Sequence, residues 1–270
     1  MCQAFSALIT KEKKVYWEAG LDSHSDIQSK FVKDDDNLKD DKMPPDNTFA
    51  RIEITPKNGD HLNPDEWVFK LDENIKPKWW RKACEKPCFN SLEDWKKKVY
   101  TFNIEEAKNP INPFKIKAPK ITKKHLTIVR KWASVRDSVG DSVGVSVWAS
   151  VGVSVGDSVW ASVGASVGAS VRDSVGDSVG VSVGDSVGDS VGVSVGDSVG
   201  DSVGAYNGSL FTGIKKWKYC ENIKEKGYPF QSCVDLWKKG LIAVKKEDEW
   251  ILLGSPKGDG KCEILWKGKI

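Results

Sequence analysis

The chain has 270 residues, 39% hydrophobic and 29% charged, with 41 Lys and Arg against 38 Asp and Glu for a formal net charge of +3. That length allows one to three domains. No apolar stretch approaches the roughly eighteen residues a membrane-spanning helix needs, which excludes an integral helical membrane protein. Residues 1–11 lack the basic leader and apolar core of a signal peptide. The six cysteines are accordingly expected as reduced thiols rather than a disulfide framework.

In chain order, residues 4–10 and 15–18 read as two strands joined by the turn 11–14. A helix running to Phe31 follows from Asp22-Ser23-His24-Ser25-Asp26-Ile27, where Ser23 and Asp26 stand at capping-box-like spacing. Residues 34–41 form an acidic loop. Residues 49–54 alternate cleanly and predict a strand, with residues 67–72 as its partner after the turn Asn63-Pro64-Asp65. Cys84 and Cys88 enclose only Glu-Lys-Pro and have no second Cys/His pair at zinc spacing, so they are a weak metal candidate. Leu92, Trp95, Val99 and Tyr100 fall at helical spacing and predict a buried face. Residues 109–119 carry three prolines and read as a connector. Residues 121–132 are basic with apolar spacing, suiting a helix that caps the next segment or, alternatively, contacts phosphates.

From Ser134 to Ala205 the chain repeats Ser-Val-x-x in eighteen unbroken copies. The third position is Gly in fourteen copies, Arg at Arg136 and Arg172, and Trp at Trp148 and Trp160; the fourth is Asp, Val or Ala. These exchanges match single-base changes in a slipping twelve-nucleotide unit. A position that swaps Gly for Trp without a change of register is not a tightly packed interior, which leaves Val as the expected inward residue.

Three conformations compete for this period. In an α-helix a step of four residues turns about 400°, so a Val stripe drifts about 40° per copy and faces no fixed partner. Each Gly there also costs about 0.8–1.0 kcal/mol relative to Ala. A Gly/Ser-rich linker needs no partner at all. In a β-solenoid each tetrapeptide supplies a side and a corner, and Val columns stack between coils of three or four sides. The solenoid is the preferred form. Its nine Asp outnumber its two Arg, but the spacing lacks the nine-residue period of calcium-binding solenoids.

After the repeat, residues 229–239 predict a short helix ended by Gly240, and residues 241–244, 250–253 and 262–266 predict a small sheet. The segment beyond Ala205 holds thirteen Lys and eight acids, so basic flanks surround an acidic centre. The twelve tryptophans are assigned to core packing ahead of ligand stacking. The expected fold is α+β flanking domains around a central tetrapeptide-repeat β-solenoid. Its parts are an N-terminal domain over 1–108, a Pro/Lys-rich connector and cap over 109–133, the repeat over 134–205, and a C-terminal α+β cap over 206–270.

One arrangement could support covalent chemistry. Removal of Met1 would leave Cys2 at the N-terminus, the placement used by N-terminal-nucleophile amidohydrolases, whose free α-amine is the base. His24 is the nearest conceivable partner. Against this, the run after Cys2 lacks the glycine-rich start of glutamine amidotransferases, and no oxyanion motif follows. The chain has no P-loop, GxGxxG, HExxH or GxSxG motif, and no cofactor is expected. His61 and His125 read as surface residues.

The opening MCQAFSALIT with VYWEAGLDSHSDI, the repeat phrase WASVRDSV, and the closing GSLF, IKKWKY and YPFQSCVDLWKKGL belong together. They resemble a group of uncharacterised bacterial and bacteriophage proteins with Ser-Val-x-x repeats, commonly richer in Trp and Arg at the third position. The resemblance spans nearly the whole chain. It implies a bacterial cytoplasmic or virion-associated setting and assigns no activity to any residue. The preferred reading is a non-enzymatic binding, scaffolding or structural accessory protein, its partner an unidentified protein or a second copy of itself. The alternatives are a Cys2 hydrolase or amidotransferase with the repeat as spacer, and a nucleic-acid-associated protein using the basic flanks. No membrane partner is expected.

Overall fold

The computed structural model describes residues 5–21, 23–31, 48–151, 153–165, 188–223, 226–246 and 248–270. The chain divides into two compact units: Met1–Thr101 with Trp148–Ser158, and Phe102–Val147 with Val159–Ile270. Cys2, the acidic loop 34–41 and the repeat copies between 166 and 187 lie outside the described residues.

In the first unit, β1 (Phe5–Thr10), β2 (Val15–Tyr16), β3 (Phe49–Thr55) and β4 (Val68–Leu71) form an antiparallel sheet in the order β2-β1-β3-β4. Because β1 is buried on both of its alternating sides, each face of the sheet needs a cover. Two helices, α1 (His24–Phe31) and α2 (Glu85–Val99), supply them. The buried stripe of α2, Cys88, Leu92, Trp95 and Val99, recurs at three- and four-residue steps. Trp95 meets Phe5 edge-on at 5.8 Å. Directly opposite residues of an antiparallel pair share a face, so Phe5–Ile54, Ala7–Ile52 and Ile9–Ala50 line the α2 side. On the other side, Leu8 and Phe49 pack with Ile27 of α1. That face also carries Ser6, Arg51 and Glu53, so α1 roofs a surface that is partly polar.

The second unit contains α3 (Ile104–Lys108) and α4 (Lys123–Ala133), the latter started by a capping box between Thr122 and His125. The repeat then forms α5 (Val139–Val151), α6 (Val153–Val163) and most of α7 (Gly188–Ser209), and it contributes residues to both units. Next come α8 (Gln231–Trp237) and a meander of β5 (Leu241–Lys246), β6 (Glu249–Gly254) and β7 (Glu263–Gly268). Gly240 closes α8 at φ 74°, where an added Cβ would fall 2.8 Å from the Ile116 carbonyl. Tyr206 of α7 stacks on Trp237 of α8 at 4.9 Å.

The central β-solenoid is therefore corrected. Among the described residues no part of the repeat is in a strand, and both sheets are small, antiparallel and built from the flanks. The fold is a mixed α/β one. The drift argument against helix fails because the Val is buried in every copy whose side chains are described, so packing covers the stripe as it turns around the helices. The glycine penalty is offset where Gly lets helices approach closely: a Cβ on Gly204 would stand 3.2 Å from Val139 and 3.4 Å from Trp160. Among the described residues, no helix is long and apolar enough to cross a membrane.

Candidate functional site

The repeat uses its four positions differently. The second-position Val is buried in all nine copies whose side chains are described, from Val135 to Val203, which makes that position a core position. The buried first-position serines carry hydrogen bonds, as buried hydroxyls must. Ser142 Oγ lies 3.1 Å from Cys220 Sγ, Ser146 Oγ accepts from the Lys218 amide at 2.9 Å, and Ser198 Oγ accepts from the Lys245 amide at 3.3 Å. Ser202 instead donates to the Ser198 carbonyl at 3.0 Å. At the third position Trp148 and Trp160 are exposed. At the fourth, eight of the ten described residues are exposed, so this row is the most open to a partner.

Distant copies of that row converge within the second unit. Arg136, from the first copy, donates from Nη1 to Ser198 Oγ at 3.1 Å and pairs through Nη2 with Asp201 at 3.1 Å. Its guanidinium lies 6.0 Å from the Trp250 ring centroid. Arg136 and Asp201, together with Asp137, Asp197 and Gly200, line a cleft of about 490 Å³. Burial pushes the Asp201 carboxyl above its ordinary pKa; Arg136 opposes this, while Asp137 and Asp197 add to it. One guanidinium thus faces three carboxylates, a surplus of negative charge suited to a cationic group.

The residues singled out from sequence fall elsewhere. Cys2 lies outside the described residues, so its pairing with His24 is not described. His24 opens α1 beneath its helix, with Nε2 3.0 Å from the Ile52 carbonyl oxygen and Nδ1 3.6 Å from Asp72 Oδ2. Glu53 lies close by, and one ligand atom from each of His24, Glu53 and Asp72 falls within 4.8 Å of the others. Sequence reasoning missed Glu53 and Asp72 as partners. The signal for Glu53 was its place among the charged residues of the 49–54 alternation, which line the face that α1 roofs; Asp72 carried none.

Cys84 and Cys88 are both buried, and Cys88 Sγ donates to the Cys84 carbonyl at 3.3 Å within the helix start. Burial pushes the Cys88 thiol up to about 12, with Cys84 and Glu85 adding to the shift, and that opposes the thiolate a metal requires. His61 is not the surface residue expected: it is buried, because Trp67 packs edge-on against its ring and Tyr100 donates to its carbonyl. Burial lowers its pKa against the opposing charge of Asp60. His125 is half-buried and closes the α4 capping box, accepting the Thr122 amide at Nδ1.

No protein-family model matches the chain, and neither a curated protein nor a solved structure matches it.

Proposed function

We propose that the protein is a non-enzymatic binding scaffold, bacterial or phage in setting, whose repeat holds itself in place by its Ser and Val rows and offers its acidic row to a basic segment of a protein partner. The observation that carries this reading is the convergence of Asp137, Asp197 and Asp201, from the first, sixteenth and seventeenth copies, on one cleft. Like charges held together weaken a fold unless a counter-charge relieves them, and Arg136 supplies only one. A basic partner supplies the rest. A second copy of the chain is one source, since α4 exposes Lys123, Lys124, Arg130 and Lys131.

The test is fluorescence anisotropy of the full chain with a labelled Lys/Arg-rich peptide and a neutral Gly/Ser peptide. Only the basic peptide is expected to bind. Two exposed ion pairs at about 0.5–1 kcal/mol each make the double variant Asp137→Asn, Asp197→Asn about five- to thirtyfold weaker. Equal binding of both peptides, or no change in the double variant, removes the reading. The exposed basic face of α4 also supports a second reading, phosphate contact with nucleic acid. Its mark is DNA affinity that falls steeply as salt rises.

A further inference from the structure

The sheet face roofed by α1 holds a group of side chains that the binding reading leaves unused. His24 is buried, and its Nε2 faces a carbonyl oxygen, Ile52 O, at 3.0 Å. A carbonyl only accepts, so Nε2 carries the hydrogen and the neutral ring places its lone pair on Nδ1. That nitrogen looks toward Asp72 Oδ2 at 3.6 Å, beyond hydrogen-bond reach. Glu53 follows Ile52 on β3 and completes the trio. Independently, Ser6 stands opposite Glu53 in the β1–β3 register, on the same face. It is 3% exposed, and its Oγ has no hydrogen-bond partner. A buried hydroxyl left unsatisfied points to a group that the protein chain itself does not supply.

We infer that His24 Nδ1, Glu53 and Asp72 form a binding site for a divalent transition-metal ion, with Zn²⁺ the best match, and that Lys70 is the built-in cation this ion displaces. The ligand chemistry is one imidazole and two carboxylates, a set that suits zinc and leaves a fourth position for water. Calcium prefers six to eight oxygens and magnesium an octahedron of oxygens, so neither favours the imidazole. The His24 hydrogen bond to a backbone carbonyl is the outer contact that ligating histidines usually make. With bonds of about 2.1 Å, two ligand atoms of a tetrahedral ion lie about 3.4 Å apart. The 3.6 Å between Nδ1 and Asp72 is close to that edge. Lys70 Nζ now bridges the two acids, 2.9 Å from Asp72 and 3.8 Å from Glu53. Its side chain is 61% exposed, so it can swing into water and open the path. Arg51 pairs with Glu73 at 3.2 Å and also lends positive charge to Asp72, while Lys70 is the cation in direct contact with that carboxylate.

Zinc titration of the metal-stripped full chain by calorimetry, with Co²⁺ absorption as a second probe of the ligand set, tests the site. One ion per chain is expected. His24→Gln, which keeps a donor for Ile52, and Asp72→Asn are each expected to weaken binding at least about tenfold. Lys70→Ala removes the competitor and tightens binding about five- to tenfold, the equivalent of two partly exposed ion contacts. Absence of zinc binding overturns the inference, because a charge network alone then accounts for the cluster. Stoichiometric binding unchanged by His24→Gln and Asp72→Asn also overturns it, by assigning the metal to thiols. Should either buried-site variant fail to fold, Lys70→Ala decides at an exposed position: tighter binding upholds the site, and unchanged or weaker binding overturns it. Peptide binding at the Arg136 cleft is a separate readout.

Discussion

The four-stranded sheet of the first unit and the repeat helices of the second bury apolar surface with opposite kinds of sequence. In the sheet, each core position has its own shape: Phe5 against Trp95, and Leu8 against Ile27 and Phe49. In the repeat, one Val recurs at every second position and cannot tell one copy from the next. What distinguishes the copies lies outside the phrase. Ser142 reaches Cys220 and Ser198 takes the Lys245 amide. Just beyond the last copy, Tyr206 accepts the Ile111 amide at 2.8 Å and donates to Glu106 at 3.0 Å. A sequence with almost no information of its own thus takes its register from partners in its flanks.

The sharpest way to break this comparison is to place a charge at equivalent and non-equivalent positions. Val203→Asp, at the second position, buries an unpaired carboxylate and is expected to cost about 4 kcal/mol or more, as is Ile52→Asp in the sheet. Val145→Asp, at the exposed fourth position, is expected to stay within about 0.5 kcal/mol of the parent. Urea denaturation followed by tryptophan fluorescence measures all three. If Val203→Asp behaved like Val145→Asp, the second position would not be core and the contrast would collapse.

The same contrast governs what was legible in the sequence. The strands 49–54 and 67–72 stood out because alternation has a single meaning on a half-buried sheet, and Gly240 marked the end of α8 because a positive φ there favours glycine. The repeat hid its structure because a period of four fits a helix and a solenoid side alike; what decides between them is the flanking surface each copy packs against, and identical copies do not encode that. The candidate site was half legible. His24 was visible as an uncommon residue type beside a helix start. Glu53 was an ordinary charged strand residue and Asp72 a charged residue just past β4, until the fold brought both to His24 at the start of α1. The Asp137–Asp197–Asp201 cleft joins residues sixty positions apart, which no local pattern connects.

Glycine substitutions sharpen the comparison within the second unit at a smaller scale. A Cβ on Gly208 would collide with the Tyr228 hydroxyl and stand 3.0 Å from Val143. Tyr228 has little room to retreat, since its hydroxyl donates to the Ala205 carbonyl at 2.6 Å. Gly208→Ala is therefore expected to destabilise by about 1–3 kcal/mol. Gly200, in the same helix, has nothing within 4 Å of such a Cβ. There the helical preference for alanine acts alone, and Gly200→Ala is expected to stabilise by about 0.8–1.0 kcal/mol. Thermal unfolding of the two single variants reads both signs. Equal losses at both positions would mean that close helix approach is not what offsets the glycines.

The smallest expected effect contrasts how each region treats a charge. Burial works against the Lys96 ammonium on α2, but hydrogen bonds to Asp65 at 2.5 Å and Glu93 at 2.8 Å outweigh it and raise its pKa. Its contribution is fully present below the unfolded lysine value and is lost only as pH rises through the folded one. Asp201 is raised too, chiefly by burial, so it favours folding only while protonated. That contribution is present below the unfolded carboxylate value and is already fading as pH rises through the folded value. At neutral pH, Lys96→Met should therefore lose stability and Asp201→Asn should gain it, each by less than about 1 kcal/mol. The Asp201→Asn difference should close near about pH 3, where both states are protonated. Urea midpoints at neutral and acidic pH measure it. A gain that persisted at low pH would trace the effect to packing, and the repeat row would lose its claim to strained negative charge.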